Sequence, residues 1–211
     1  MTERSASRTL DHAVAEAREQ LLFGAKRLGL STVGYDRIDS PLGPLWVAVG
    51  PRGLAVIHYG AEPSTAELRR VVRTYGPGVV PDPRRTAPVA RELDQYWSGR
   101  RHLFDLAVDL SGLTPFQRRV LRATARVGYG ELVAYATVAK RAGNERASRA
   151  AGAALGQNPI PIVVPCHRIV ASDGSLGGYS GGLDAKRALL ALERSGDVPE
   201  GGWVPAKLRR S

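Results

Sequence analysis

An α+β fold is what the sequence predicts: an N-terminal α/β supporting domain and a C-terminal, mostly helical domain built around one cysteine. Three observations predict it. Strand-like apolar runs joined by a short turn fill Ser40 to Gly60. Helical periods separated by glycine breaks dominate from Thr114 to Arg194. Within this second stretch, the apolar run Ile160-Pro161-Ile162-Val163-Val164 leads into Pro165-Cys166-His167-Arg168, which holds the only cysteine.

In chain order, residues 1–9 show no pattern and are expected to be disordered. Leu10, Val14, Ala17, Leu21, Ala25 and Leu28 then form one helical stripe, so 1–33 reads as an extension with one surface-packed helix. The supporting domain is expected over 34–110. In it, Pro44–Gly50 and Leu54–Tyr59 read as strands joined by Pro51-Arg52-Gly53. Ser64–Tyr75 and Thr86–Trp97 read as helices, with Ser64 and Thr86 as N-caps. Residues 77–85 read as a loop, and the alternating His102–Leu110 as a strand. No reactive cluster appears here, and His58 and His102 read as structural.

Ser111-Gly112-Leu113 marks the domain boundary. Thr114-Pro115-Phe116-Gln117 combines a T-x-x-Q capping box with proline at the first helical position, predicting a helix to about Arg126. Gly128-Tyr129-Gly130 breaks it. Helices over 135–142 and 147–157 flank Gly143-Asn144 with helix-turn-helix spacing. Asn158-Pro159 ends the second, and 160–164 reads as a buried strand that turns at Cys166. Leu176–Gly182 is a glycine-rich loop whose backbone N–H groups suit a pocket wall. Asp184–Arg194 reads as a helix carrying Lys186 and Glu193. The second domain thus covers 111–195. Residues 196–211 form a tail whose Lys207, Arg209 and Arg210 can add phosphate contacts.

The chain has 211 residues, 43% of them hydrophobic and 24% charged, ordinary values for a globular protein. One cysteine excludes an intramolecular disulfide and, with four histidines, a cysteine-rich zinc site. No apolar run reaches membrane-spanning length, and Met1-Thr2-Glu3-Arg4 leads into a charged segment without a signal-peptide core. A reducing, cytoplasmic setting is expected. The net charge of +10 favours a polyanionic partner. That charge is concentrated: between Thr114 and Asn158, Arg118, Arg119, Arg122, Arg126, Lys140, Arg141, Arg146 and Arg149 face only Glu131 and Glu145. The second helix of the pair, Ala147–Gly156, is nearly all small residues with one arginine. Small residues permit close approach but do not read bases in a major groove, so the minor groove fits better, with Arg149 protruding. The glycine-rich loop lacks the spacing of a P-loop or a dinucleotide fingerprint, which excludes nucleotide binding.

A thiol becomes nucleophilic when a neighbouring base or positive charge favours the thiolate. His167 and Arg168 are the candidates. Neighbouring side chains on a strand point to opposite faces, so His167 is expected to reach the sulfur obliquely or through a water.

Asn158 to Val170, then Gly177-Gly178-Tyr179-Ser180-Gly181-Gly182-Leu183, Lys186 and Glu193, resemble the O6-alkylguanine–DNA alkyltransferases. Gly130-Glu131-Leu132-Val133-Ala134-Tyr135 and Arg149-Ala150-Ala151-Gly152 fit as well. The match spans about 114–194 strongly and is weak around Asp39–Leu45. The resemblance implies an RNase H-like N-terminal domain and a repair protein that moves an alkyl group from O6 of guanine, or O4 of thymine, to its own cysteine, once per molecule. It implies that Glu193 orients His167 and that His167, through a water, takes the proton of Cys166. Asn158 braces the turn. Arg149 holds the place of an extruded guanine, and Tyr135 pushes the phosphate and hydrogen-bonds the base. The Ser180 N–H donates to O6, Tyr179 closes the loop, and the carbonyls of Cys166 and Ile169 accept from the exocyclic amine. The partner is double-stranded DNA, with no cofactor, no metal and no membrane, and the protein acts as a monomer or cooperatively along DNA.

The sequence departs from some family members in lacking a cysteine at Ala171 and in having no N-terminal cysteine-rich zinc module. Two other readings compete. A non-enzymatic lesion binder of the alkyltransferase-like kind is opposed by Cys166 itself. A helix-turn-helix regulator is opposed by a second helix with almost no base-reading side chains.

Overall fold

Apolar residues at both odd and even positions give the N-terminal sheet two buried faces. Strands β1 (Val33–Ile38), β2 (Leu45–Gly50) and β3 (Gly53–Tyr59) form an antiparallel meander, and β4 (Val79–Pro81) adds in parallel to β1, in the order β3-β2-β1-β4. Leu45, Val47, Leu54 and Ile57 point into the main core. Trp46, Ala48, Ala55 and Val56 point into a smaller one with Val71. The computed structural model describes residues 32–195, with isolated positions 20, 24 and 28–30. Those positions apart, the helix expected over 10–28 lies outside the described residues, as does the tail 196–211.

Helix α1 (Thr65–Tyr75) covers the smaller core, and its start is fixed by a reciprocal Ser64–Glu67 capping box. Glu67 also pairs with His58 Nδ1 at 2.8 Å, a structural use of that histidine. Helix α2 (Pro83–Trp97) begins earlier than expected, with Asp82 as cap position and Pro83 at the first turn. Thr86 is therefore no cap; it lies buried inside the helix and donates to the Pro83 carbonyl at 3.2 Å.

Residues 102–110 do not form the expected strand. They pair with β3 at Leu54, whose N–H donates to Ala107 O and whose carbonyl accepts from Asp109 N–H, each at 2.8 Å. Gly53 permits this approach, because a Cβ there would lie 2.2 Å from the Ala107 oxygen. Further along β3, the Ile57 N–H is taken by Pro159 O at 2.8 Å, so the sheet edge is shared with the C-terminal half.

In that half, α3 (Pro115–Thr124) starts with the Thr114–Gln117 capping box and ends near the expected place. Helices α4 (Tyr135–Arg141) and α5 (Ser148–Gly156) form the helix-turn-helix, packed on each other and on α3. A short parallel pair, β5 (Val133–Ala134) and β6 (Ile169–Val170), ties the start of α4 to the far side of Cys166. Helix α6 (Leu183–Ser195) closes the half.

The run 160–164 is not a strand. Val164 N–H bonds Ile160 O and Val163 N–H bonds Pro161 O, both at 2.9 Å, so the chain turns twice, with Ile162 at φ 75°. Pro159 and Pro161 cannot donate to a ladder. The residues are apolar because they are buried, not because they are extended. One continuous core runs from Leu45 in the sheet to Leu192 in α6. Among the described residues, no helix is long and apolar enough to cross a membrane.

Candidate active site

Cys166 opens a single 3-10 turn, Cys166–Arg168, between the 160–164 turns and β6. All of its side chains are buried, and Cys166 keeps only 5% of its surface exposed. That remnant faces a cavity of about 320 Å³ lined by Tyr135, Gly152, Leu155, Gly156, Cys166, Gly178, Tyr179 and Ser180. Such a volume lies within the range of small-molecule sites.

The cavity has three walls. Gly152 and Gly156 expose the backbone of α5, and Arg149 shares their helix face one turn earlier, exposed to solvent. Tyr135, at the first position of α4, is half-buried beside them. The third wall is the 176–182 loop. Lys186 Nζ, fully buried, donates to the carbonyls of Ile169 and Leu176 and so fastens the loop's start to β6. Tyr179 OH is 2.7 Å from Tyr59 OH on β3, which fastens its middle. A Cβ on Gly177 would sit 2.7 Å from the Tyr135 hydroxyl, and one on Gly181 2.6 Å from the Tyr59 ring.

Asn158 binds three groups around the nucleophile. Its Nδ2 donates to Val164 O at 2.9 Å and to Cys166 Sγ at 3.1 Å, and its Oδ1 accepts from Ile160 N–H at 3.0 Å. Burial pushes the Cys166 thiol up to about 11, against the pull of the Asn158 hydrogen bond and the Lys186 charge. The resting side chain is thus a thiol, and it needs a base.

His167, fully buried, is the neighbour of Cys166 in the chain. Its Nε2 lies 2.8 Å from Glu193 Oε1, while its Nδ1 is buried without a partner. Burial holds His167 below the usual imidazole value, although Glu193 pulls the other way. Burial alone would raise Glu193, but hydrogen bonds and charge from His167 and Arg168 bring it well below the carboxylate range. An ionised carboxylate only accepts, so Nε2 carries the proton and Nδ1 the free lone pair.

Glu193 is a buried hub. Oε1 accepts from Tyr96 OH at 2.7 Å and Arg168 Nη2 at 2.8 Å, and Oε2 from Arg168 Nε at 2.9 Å and Gly130 N–H at 3.1 Å. Arg168 therefore addresses the carboxylate and the Val127 carbonyl. The structure gives it no hydrogen bond to the sulfur it was expected to activate.

The structure thus gathers Cys166, His167, Glu193 and Asn158 into one cluster, with Tyr135, Tyr179 and Ser180 across the cavity. Arg149 stands outside the cavity lining. The Ile169 carbonyl already accepts from Lys186, and the Cys166 carbonyl from Ile169 N–H, which leaves each one further lone pair. Sequence reading missed Tyr59 and Tyr96, which lie 120 and 97 residues from their partners. No local pattern signals such pairings. Among the described residues, no group of three or more His, Cys, Asp or Glu is placed to hold a metal.

Comparison with known proteins places this geometry. Residues 33–110 match the ribonuclease-like domain of 6-O-methylguanine DNA methyltransferase, and residues 115–195 match its DNA binding domain. A methylated-DNA–protein-cysteine methyltransferase of Mycolicibacterium paratuberculosis is 43% identical over 77% of this chain and 93% of its own length. A protein of the same name from Methanosarcina barkeri is 37% identical over 76% of this chain and 97% of its own. The crystal structure of Mycobacterium tuberculosis OGT in complex with DNA superposes with a TM-score of 0.67, at 38% identity, over 77% of this chain and 93% of that one. With both halves matched and relatives this similar over nearly their whole length, the chain belongs to the 6-O-methylguanine DNA methyltransferase family.

Proposed function

We propose that this protein repairs O6-alkylguanine in DNA by transferring the alkyl group to Cys166, irreversibly and once per molecule. One observation carries the reading. A lone thiol stands at the foot of a nucleobase-sized cavity, with a buried His167–Glu193 pair beside it.

Cys166 yields its proton to a water held on His167 Nδ1, and the imidazole takes up that charge against Glu193. The sulfur attacks the alkyl carbon as the bond to O6 breaks, and the electron pair returns to guanine. The departing guanine takes up a proton from the Tyr135 hydroxyl, which is replaced from water, and His167 releases the thiol's proton to water, so no net charge is left. Tyr135, whose hydroxyl burial keeps protonated, hydrogen-bonds the ring. The Ser180 N–H donates to O6, Tyr179 closes the loop, and the second lone pairs of the Cys166 and Ile169 carbonyls receive the exocyclic amine. The product is a thioether that nothing in the site can cleave, which explains the single turnover.

A stacked base hides its O6 substituent from a buried sulfur, so the guanine is flipped out of the helix. Helix α5 enters the minor groove with its small-residue face, and Arg149 fills the gap left in the stack. The basic residues of 118–149 hold the phosphates. Residues 34–110 act as the supporting domain and 111–195 as the catalytic and DNA-binding one. A nucleophile that must stay reduced places the working protein in the cytoplasm.

The test is intact mass after incubation with an oligonucleotide containing O6-methylguanine. Gain of one methyl group, absent in Cys166→Ala, is the expected result. Tight binding without a mass change would replace the enzyme with a lesion binder.

A further inference from the structure

We infer that Tyr96 is a positioning residue of the alkyl-transfer centre, through which the N-terminal domain sets how strongly Glu193 holds His167 as a base. The inference rests on the alkyl-transfer reading above. Tyr96 lies on α2, has no exposed surface, and is 97 residues from Glu193 in sequence. Its hydroxyl lies 2.7 Å from Oε1, the same oxygen that takes His167 Nε2 at 2.8 Å. The ring is wedged by Trp97, Phe104 and Tyr129, with centroids 5.0, 5.3 and 6.1 Å away. Phenylalanine would fill that space equally well, so the hydroxyl's one structural consequence is its bond to the carboxylate.

Burial first, and the Glu193 charge second, hold the Tyr96 hydroxyl well above its usual value. It is therefore a permanent donor. Each donor on Oε1 makes the carboxylate less basic, which weakens its hold on an imidazolium and favours neutral His167. His167 is faced by Glu193, Arg168 and Lys186, with Cys166 next in the chain and the Tyr179 ring edge-on. Glu193 is faced by His167, Arg168, Tyr96 and Tyr129. In this set Tyr96 alone comes from the N-terminal domain.

The experiment uses the full chain and the variant Tyr96→Phe. Benzyl transfer from free O6-benzylguanine is followed from acid to mildly alkaline pH. Without the hydroxyl, Glu193 becomes more basic and His167 charges more readily. The acid limb of the rate profile should then move up by about one pH unit, with the alkaline plateau little changed. An unmoved limb in a folded variant overturns the inference. If Tyr96→Phe does not fold, 3-fluorotyrosine at position 96, a stronger donor, must move the limb down; no movement overturns the inference equally. If the wild type transfers no alkyl group, the proposed function falls instead. The Tyr96 effect is then read from the pH dependence of Cys166 alkylation by iodoacetamide.

Discussion

Replacing Glu193 by glutamine keeps the side-chain volume and removes the charge at the centre of the buried network. The carboxylate accepts from Tyr96, His167, Arg168 and Gly130. An amide has one accepting oxygen, and its NH₂ would face either the Arg168 Nε and Gly130 N–H donors or the Tyr96, His167 and Arg168 donors on Oε1. Arg168, whose side chain is 7% exposed, would keep its charge with no counterion. Breaking a buried pair by removing one partner costs about 3–5 kcal/mol. For a folded region of this size, that lowers the melting temperature by about 6–20 °C. The pH dependence follows from the same group. The folded value of Glu193 lies below its ordinary 4.5, so the stability it contributes is fully present above that pH and is lost as the pH falls through it. Thermal unfolding of both proteins between neutral and acid pH is the assay. The variant should melt lower at neutral pH and lose less on acidification. A melting temperature within about 2 °C of the wild type, with the same acid slope, would refute the account of Glu193 as the counterion of Arg168.

The remaining predictions concern the chemistry. Asn158→Ala removes the hydrogen bond that lowers the thiol, so the Cys166 value should rise above about 11 and iodoacetamide alkylation at neutral pH should slow by about tenfold or more. Arg149→Ala should slow repair of O6-methylguanine in duplex DNA by at least about tenfold, with little effect on free O6-benzylguanine; equal slowing would remove its role in base extrusion. Gly181→Ala drives a methyl group against the Tyr59 ring at 2.6 Å. It should displace the loop, cost about 1–3 kcal/mol of stability and slow transfer, as read by melting and single-turnover rates.

Much of the fold could be read from the chain because its signals are local. The Ser64 and Thr114 caps, the Gly143-Asn144 turn and the breaks at Gly128–Gly130 each act within a few residues. The misreadings have a shared cause. Residues 160–164 are apolar through burial, and a short apolar run does not reveal whether it is extended or turned. Residues 102–110 alternate, yet β3 offers them one pairing position before Pro159 takes the next. Strand β1 escaped notice because Asp36 and Arg37 interrupt its apolar pattern, although it lies inside the sheet. In the site, Cys166, His167 and Asn158 are close in sequence and were legible together. The Tyr96 and Gly130 contacts to Glu193 depend on how distant elements dock, which periodicity does not encode.

Strand β3 is an outer strand of its sheet, and its Leu54–Ile57 stretch is wholly apolar. A bare margin of that kind is a template for pairing with other molecules and for aggregation. Here the connector at Ala107 and Pro159, at the head of the segment that leads to Cys166, occupy it. The segment that leads to the nucleophile therefore also shields the N-terminal sheet, and cutting the protein between its halves would leave a sticky rim as well as an unsupported cysteine.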